Sequence, residues 1–254
     1  MNIEKILDRI DYSGSLDVNP EVLCALQLAF LHTVPFENLD IHANIPITLD
    51  PARFYDKIVV NGRGGFCYEC NTLFYQLLLQ LGFDVHMLAA RMTLSDVNTN
   101  RYSHVALLVN LDRPWLADVG NGQSIHVPMP IPGDTVTVAE QIEYQVGKFN
   151  DEEYALYYRK PGLDWLPRFV FSTTPRRLEE FSEMCRYHQT SPESIFMKQR
   201  LCTLPTHNGR ITLTGNVLSI LENGQETSRT FDSTQDIDDC LLQYFGFRLP
   251  VTNN

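Results

Sequence analysis

The sequence predicts an α+β protein, with helices in its first third, antiparallel strands in its middle and a mixed segment at its end. The prediction rests on helix start signals near the N-terminus and on short β-branched runs that begin only after residue 84. Strands and helices do not alternate, which disfavours a parallel βαβ sheet. The 254 residues, 44% of them hydrophobic, suffice for one or two domains with a buried core.

Three helices are predicted in the first third of the chain. Asn19 and Asp50 are N-cap residues that each precede a proline, which is favoured at the first helical position because its missing N–H would have no partner there. An apolar stripe at helical spacing follows each of them. The third helix follows the glycine-rich segment Asn61–Gly65 and ends at Gly82.

The middle of the chain contains short β-branched or aromatic runs separated by Pro, Gly, Asn and Asp. This spacing is typical of antiparallel strands in a sheet or a small barrel. The predicted strands are Val85–Met92, His104–Leu111, Trp115–Val119, Thr135–Val138, Ile142–Phe149, Tyr154–Arg159 and Phe169–Ser172.

The remaining segment mixes both kinds of element. A helix is predicted to start at Thr174-Pro175 and to reach about His188. Two strands joined by a turn at Gly215-Asn216 and a second turn at Asn223-Gly224 come next. The strands are predicted at Arg210–Thr214 and Val217–Leu221, and a final helix at Gln235–Phe245 is closed by Gly246.

Composition and charge exclude several classes of protein. The chain has 31 acidic and 20 basic residues, and the resulting net charge of −11 disfavours binding to nucleic acid or to an anionic membrane surface. No apolar run reaches the ~18 residues of a membrane span, and no signal peptide is expected at the N-terminus. Six scattered cysteines then indicate reduced thiols and a cytoplasmic protein.

The segment around Cys67 is the strongest local signal for chemistry. Gly62, Gly64 and Gly65 precede it, and the third predicted helix begins immediately afterwards. A cysteine in a first helical turn lies near unpaired N–H groups and the positive end of the helix dipole, which lower a thiol pKa. A buried core cysteine behind a glycine turn fits the same residues, so the local pattern leaves both interpretations open.

A nucleophilic cysteine needs a base and a group that orients the base. If the turn between two predicted strands is centred on Asp112, Asn110 lies opposite Pro114, and His104 and Asp118 become diagonal neighbours on one face. A turn half a step later would place Asp118 on the other face and break the pair.

Six short motifs follow one another along the chain: VPFENL at 34–39, RGGFCYE at 63–69, SH at 103–104, ADVG at 117–120, SPESIF at 191–196 and GRITL at 209–213. In these motifs, over about Val34 to Leu213, the sequence resembles the arylamine N-acetyltransferases. The RGGFCYE and ADVG segments are the most specific together.

The resemblance implies a three-part fold with a cysteine-protease-like core. It implies a helical bundle at residues 1–83 that carries the nucleophile and a β-barrel at 84–188 that carries the His and the Asp. An α/β lid at 189–254 follows.

The resemblance also implies the activity. Cys67, His104 and Asp118 would form a catalytic triad that moves an acetyl group from acetyl-CoA to an arylamine, arylhydrazine or N-hydroxyarylamine. A ping-pong scheme through an acetyl-cysteine exchanges one thioester for another and needs no metal. The expected partners are therefore coenzyme A and a small aromatic amine or hydrazine.

Ligand-binding residues are carried over in the same way. Relatives place CoA phosphates near the loop after the triad Asp, where main-chain N–H groups can hold phosphate oxygens. Relatives commonly have an aromatic residue where this chain has Asn121, and Cys70 also departs from the family pattern. The expected CoA residues are Gly122, Gln123 and Ser124, and the expected acceptor residues are Phe36, Asn121 and Phe196.

Other functions fit parts of the pattern. Cys67 and Cys70 form a CxxC pair, which is typical of thiol–disulfide redox proteins, although no βαβ unit precedes it. A zinc site formed by these cysteines, His86 and His104 would have one closely spaced pair of ligands, the CxxC, and no second pair to match it. A cysteine peptidase or a transglutaminase-like enzyme would use the same triad, and a degenerate relative would bind ligands without turnover.

Overall fold

The computed structural model describes residues 1–93, 103–133 and 135–249. Residues 94–102, 134 and 250–254, which the predicted barrel and lid include, lie outside the described residues. A π-helical turn at Asp56–Val60 and a 3₁₀ turn at Leu178–Phe181 accompany the α-helices. The helices are α1 (Ile3–Arg9), α2 (Pro20–Thr33), α3 (Leu39–His42), α4 (Pro51–Tyr55), α5 (Cys67–Gln80), α6 (Ser182–Thr190), α7 (Ile195–Lys198) and α8 (Thr234–Phe245).

The strands form two antiparallel sheets. One has the strand order β5-β4-β3-β2-β9-β8-β7-β6 and the other the order β1-β10-β11-β12-β13. The strands are β1 (Phe36–Glu37), β2 (Asp84–Met92), β3 (His104–Asn110), β4 (Pro114–Ala117), β5 (Met129–Pro130), β6 (Thr137–Ala139), β7 (Ile142–Lys148), β8 (Tyr154–Arg159), β9 (Leu166–Arg176), β10 (Leu201–Thr206), β11 (Gly209–Thr214), β12 (Val217–Glu222) and β13 (Gln225–Thr230).

The eight-stranded sheet is curled into a half-barrel. Its far ends approach each other where the N–H of Gly133 donates to the carbonyl of Val146 at 2.9 Å. Among the described strands no ladder joins β5 to β6, so the predicted barrel is present only as this curled sheet. The predicted α+β class is confirmed.

The helix start signals act as predicted. Asn19 Oδ1 accepts the Val22 N–H at 2.8 Å, and Asp50 Oδ1 accepts the Ala52 N–H at 2.9 Å. These bonds satisfy N–H groups that have no partner inside the helix. At the far end of α8, Gly246 has a φ of 81°, the left-handed conformation that glycine adopts without strain.

The turn between β3 and β4 has the predicted register. Asn110 pairs with Pro114 and Leu107 with Ala117. Side chains alternate between the faces of a sheet, so this register decides which face the residues beyond each strand end occupy. It brings His104, the first residue of β3, and Asp118, just beyond β4, to one face.

The helix predicted at Thr174-Pro175 is wrong at its start. These residues still belong to β9, where Pro175 pairs with Leu88 beyond a register shift, and the helical conformation begins with the 3₁₀ turn at Leu178. The β8 ladder ends at Phe171, so β9 has a free edge beyond it. A proline, which lacks an N–H donor, is tolerated at such an edge.

Two longer strands escaped prediction because their sequences lack the strand signature. All six residues of β13 are exposed and polar. In β10, Pro205 interrupts the run, yet this strand pairs with β1 and so joins the C-terminal sheet to the N-terminal region.

Three apolar clusters form the core of the described residues. One lies between α5 and one face of the curled sheet, one fills the other face of that sheet, and one lies beneath α8. None of the helices in the described ranges has both the length and the apolar composition of a membrane span. The first cluster includes Cys67, so the predicted active site lies at the edge of a packed core.

Candidate active site

Cys67 is the first residue of α5 and is buried, with 3% of its surface exposed. The helix start is capped by Glu69, whose Oε2 accepts the Phe66 N–H at 3.1 Å. The glycine loop before it passes so close to the chain at Pro35 that a Cβ on Gly64 would lie 2.0 Å from the Pro35 carbonyl oxygen. Only glycine fits this approach, which holds the loop and the helix start in place.

A buried network of five charged side chains anchors this loop from behind. Arg63 contacts Glu37 at 2.7 Å and Asp40 at 2.5 Å. Lys57 contacts Asp40 at 2.9 Å and Glu69 at 3.0 Å. Burial raises the pKa of Glu69 to about 7, although Lys57 opposes the rise. The network joins α3, the π-helical turn and the first turn of α5.

His104 and Asp118 meet as the strand register predicts. Nε2 of His104 lies 2.9 Å from Oδ2 of Asp118, and both side chains are buried. The ring of Phe169 in β9 packs against the His104 ring, with the ring centroids 5.2 Å apart. An ionised Asp118 accepts the Nε2 proton, which leaves Nδ1 as the basic nitrogen of the imidazole.

Asp118 is held by three further contacts. Its Oδ1 accepts the Asn71 Nδ2–H at 2.8 Å and the Gly120 N–H at 2.9 Å, and its own N–H donates to Gln27 Oε1 at 3.2 Å. Burial acts to raise the pKa of Asp118. The neighbouring His104 and the hydrogen bonds outweigh that effect and hold the pKa below its ordinary value.

Cys67, the predicted nucleophile, lies beside these residues. Main-chain N–H groups of Val105, which follows His104, and of Tyr68 face the Cys67 sulfur and act to lower its pKa. Gly120 lies so close that an added Cβ would be 2.8 Å from Cys67 Cα. The structure thus brings the elements that carry Cys67, His104 and Asp118 into one buried cluster.

The expectation of a lowered thiol pKa is wrong for the site as it stands. Burial raises the pKa of Cys67 well above its ordinary value, and the two N–H groups offset this only in part. The helix start predicted from sequence is present, but desolvation penalises a thiolate more than the N–H groups favour it.

Asn71 and Gln27 are functional residues that the sequence analysis missed. Besides holding Asp118, Asn71 donates to the Val105 carbonyl at 2.7 Å and accepts the Val119 N–H at 2.9 Å. It follows Cys67 by four residues in α5, so both lie on one helix face. That spacing was a usable signal for Asn71. Gln27 lies in α2, and no local pattern links it to the site.

The structure brings the predicted acceptor residues together. The rings of Phe36 and Phe196 have centroids 6.1 Å apart, and Phe66 meets Phe196 at 6.0 Å. Asn121 lines the same small cavity as Phe36. Its Oδ1 accepts a hydrogen bond from Arg168 Nη2 at 2.8 Å.

The predicted CoA residues divide into two groups. Gly122 and Ser124 line the cavity beside Asn121, whereas Gln123 is exposed and donates to Glu140 at 3.3 Å. Within the described ranges no acceptor pairs with the main-chain N–H groups of these three residues or with Ser124 Oγ. Arg210 in β11, which the sequence analysis missed, donates to the Gly122 carbonyl and is ion-paired with Glu140 at 2.6 Å.

Three histidines, His32, His126 and His207, meet in a cleft of about 540 Å³. The ring centroid of His32 lies 4.7 Å from that of His207 and 6.0 Å from that of His126. Burial, with the charges of the other two, lowers the pKa of His32 to about 4. His126 also lines the cavity beside Gly122, so the two spaces adjoin.

The alternatives based on Cys70 and zinc find little support. Cys67 and Cys70 are free and buried, and the Cys70 thiol donates to the Gly65 carbonyl at 3.2 Å. His86 pairs with Asp84 at 3.0 Å. In the part of the chain that the structure describes, no three His, Cys, Asp or Glu side chains are grouped to hold a metal ion.

His188 beside Phe196 makes stability dependent on pH. Burial lowers its pKa to about 4 from an ordinary 6.5, so the unfolded chain takes up the proton first as pH falls. The contribution of neutral His188 to the free energy of unfolding is therefore complete above pH 6.5, and it is lost as the pH falls towards 4. We expect the unfolding free energy of the wild type to fall about 2 kcal/mol more than that of His188→Gln between pH 7.5 and pH 5. Urea unfolding at both pH values measures this, and equal losses would contradict it.

Comparisons with known proteins agree with this arrangement. The sequence model of the N-acetyltransferase family matches residues 19–253. The arylamine N-acetyltransferase pineal gland isozyme NAT-10 of Gallus gallus is 31% identical over 258 residues, covering 93% of this chain and 87% of the relative.

Solved structures have the same fold. An arylamine N-acetyltransferase from Salmonella typhimurium has a TM-score of 0.91 at 25% identity, covering 99% of this chain and 93% of that chain. The Mycobacterium marinum arylamine N-acetyltransferase, solved in complex with CoA, has a TM-score of 0.86 at 28% identity, covering 97% and 93%. The resemblance predicted from the motifs is confirmed, and this chain belongs to the arylamine N-acetyltransferase family.

Proposed function

We propose that this chain transfers the acetyl group of acetyl-CoA to an arylamine, arylhydrazine or N-hydroxyarylamine through an acetyl-Cys67 intermediate. As a member of the arylamine N-acetyltransferase family, the chain is an acyltransferase. One observation carries the proposed mechanism: Nε2 of His104 lies 2.9 Å from Oδ2 of Asp118, and the contact is buried. The next residue of the same strand, Val105, has its main-chain N–H facing the Cys67 sulfur.

In the first step, His104 Nδ1 takes the proton of the Cys67 thiol and the sulfur attacks the thioester carbonyl of acetyl-CoA. The bond to the CoA sulfur breaks, and His104 returns its proton to the departing thiolate. Asp118 keeps the imidazole in the tautomer with a proton on Nε2 and stabilises the imidazolium that forms. Because burial disfavours an isolated Cys67 thiolate, we infer that the thiolate exists only as an ion pair with protonated His104.

In the second step, the amino nitrogen attacks the acetyl carbonyl on Cys67. The carbon–sulfur bond breaks, and His104 takes the proton that the nitrogen loses and returns it to the sulfur. An arylamine is weakly basic and mostly unprotonated at neutral pH, so its lone pair is available without a further base. Since each step exchanges acyl groups at one sulfur, the kinetics are ping-pong.

We propose that Gly122, Gln123 and Ser124 bind the CoA phosphates. Their unpaired N–H groups support this assignment, because successive main-chain donors can hold phosphate oxygens. Arg210 fixes the loop by binding the Gly122 carbonyl. The relative from Mycobacterium marinum was solved in complex with CoA, which supports CoA as the carrier of the acetyl group.

We propose that Phe36, Phe196 and Asn121 form the acceptor site. The two phenylalanine rings, whose planes are inclined by 46°, provide apolar surface that an aromatic ring can contact. Asn121 replaces an aromatic wall with an amide, which makes one side of the site polar.

A peptidase or transglutaminase-like reaction by the same triad is less well supported. The family model and the relatives are N-acetyltransferases, which favours acetyl transfer over either of these reactions.

The division into a helical bundle (1–83), a β-barrel (84–188) and an α/β lid (189–254) stays part of this proposal, as does the cysteine-protease-like core. The position of Cys67 at the start of α5, packed against the sheet that carries His104, supports it. A cytoplasmic location remains a prediction from the cysteine composition.

Mass spectrometry of the protein mixed with acetyl-CoA tests the proposal. We expect one acetyl adduct, located on Cys67, which disappears when an arylamine is added and acetylated amine forms. Iodoacetamide should label Cys67 stoichiometrically, with protection by acetyl-CoA. An adduct on another residue, or labelling spread evenly over the six cysteines, would contradict the assignment.

A further inference from the structure

Arg168 is a partly buried arginine that has no carboxylate partner among the described residues. In the described part of the chain it forms no ion pair and a single side-chain hydrogen bond, to Asn121, while its Nε has no partner. Three other arginines of similar or greater burial have more partners, although Arg63 Nε also lacks one: Arg9 donates to four main-chain carbonyls, Arg63 contacts two carboxylates and Arg210 contacts one. A buried charge without a partner is unusual, because burial costs free energy that a counter-ion normally offsets.

Asn121 supplies a second unused donor beside the first. A guanidinium can only donate, so the amide oxygen of Asn121 must face Arg168 and its NH₂ group must point the other way. That nitrogen, Nδ2, is buried and has no partner among the described residues. The two adjacent side chains therefore lack acceptors, and the positive charge favours an acceptor that is anionic.

These donors lie next to the reacting groups. Asn121 follows Gly120, which touches Cys67, and it lines the same cavity as Phe36. Arg168 is joined to these groups through its hydrogen bond to Asn121, 2.8 Å long. The charge of Asp118 acts on the pKa of Arg168, so the guanidinium lies within electrostatic range of the proposed triad.

We propose that Arg168 and Asn121 form a subsite for a carboxylate on the substrate. The inference rests on the proposed acetyl transfer and adds a preference within it. Arg–carboxylate pairs are charge-assisted and are selective for planar anions. The carboxylate can belong to the aromatic ring of the acceptor or to the end of the acyl group. Asn121 lies beside Phe36, a proposed acceptor residue, which favours the acceptor. The cavity that these two residues share measures about 10 Å³, room for about one water, so neighbouring side chains must move to admit an aromatic ring.

Steady-state kinetics with a matched pair of amines test the acceptor. With acetyl-CoA as donor, we expect the ratio of kcat/KM for 4-aminobenzoate to that for 4-methylaniline to fall about 10- to 100-fold in Arg168→Met, since charge-assisted hydrogen bonds are lost. Asn121→Asp should lower the same ratio, because the introduced carboxylate pairs with Arg168. Arg159→Met is the control: Arg159 lies on the neighbouring strand β8 and is paired with Glu143, so its loss should leave the ratio unchanged.

A second arm tests the donor. Intact mass spectrometry compares acylation of Cys67 by succinyl-CoA and by acetyl-CoA in the wild type and in Arg168→Met. If Arg168→Met lowers the ratio of the succinyl-CoA rate to the acetyl-CoA rate but leaves the ratio for the two amines unchanged, the carboxylate belongs to the acyl group. This result would still support the subsite.

Other outcomes overturn the subsite. If Arg168→Met lowers kcat/KM equally for both amines, or changes neither ratio, Arg168 supports the fold or the triad and does not select an anion. Asn121→Asp keeps the test informative if Arg168→Met does not fold, which circular dichroism would show. If the wild type forms acetyl-Cys67 and acetylates 4-methylaniline, the proposed function stands whatever the ratios are. If it acetylates neither amine, both proposals fail.

Discussion

Cys67→Ala is expected to lower kcat for acetyl transfer by about four to six orders of magnitude, to the level of the uncatalysed reaction. Without the sulfur there is no atom to accept the acetyl group from CoA, and His104 and Asp118 cannot replace it. The side chain is 3% exposed in a packed core, so the substitution leaves only a small cavity, at about 1–2 kcal/mol. Release of CoA thiol and the mass of the acetylated protein measure the effect, and a melting curve confirms folding.

Cys70→Ser is the matched control for this experiment. Cys70 lies three residues along the same helix, is equally buried and donates to the Gly65 carbonyl. A serine hydroxyl keeps that donor, so we expect most of the activity to remain. If Cys70→Ser were inactive and Cys67→Ala active, the thiol–disulfide interpretation would replace acetyl transfer.

Asp118→Asn is expected to lower kcat about 10⁴-fold, although the shape of the side chain is kept. Two donors, Asn71 Nδ2 and the Gly120 N–H, already face Oδ1, so the amide oxygen takes that side and the NH₂ group faces His104. Nε2 of His104 must then accept, which places the imidazole proton on Nδ1. A protonated Nδ1 cannot take the proton of Cys67.

Asp112→Asn serves as the control for Asp118→Asn. Asp112 lies exposed in the turn between β3 and β4, where it accepts from the Trp115 indole at 3.0 Å, and its amide can accept the same bond. We expect unchanged kcat and a stability change below about 0.5 kcal/mol. If folded Asp118→Asn kept more than about a tenth of the wild-type kcat, Asp118 would not be the residue that orients His104.

The pKa direction of Asp118 also predicts how stability depends on pH. A folded pKa below the unfolded one means that the ionised carboxylate stabilises the fold above the unfolded pKa. That contribution is lost as pH falls through the lower, folded value. At neutral pH the contribution is complete, so Asp118 does not change the free energy of unfolding as the pH varies around 7.

Much of the site could be predicted because its determinants are local. The N-caps at Asn19 and Asp50 act through hydrogen bonds to residues two or three positions away. The turn at Asp112 sets the register that brings His104 and Asp118 to one face. The helix start at Thr174-Pro175 was predicted wrongly because its determinant is not local. Only the end of the ladder between β8 and β9 shows that β9 has a free edge at these residues.

By itself, the amino-acid sequence determined the family and the cysteine at a helix start, and it limited the pairing of the two strands that carry His104 and Asp118 to two registers. Caps, turns and the alternation of side chains depend on residues that are close to one another in the sequence, so they can be recognised from the sequence alone. The tertiary structure alone decided how deeply Cys67 is desolvated, that Arg210 holds the Gly122 loop, and that Arg168 reaches Asn121 across 47 positions. Burial and contacts of this kind depend on atoms that meet only when the sheets and helices have packed.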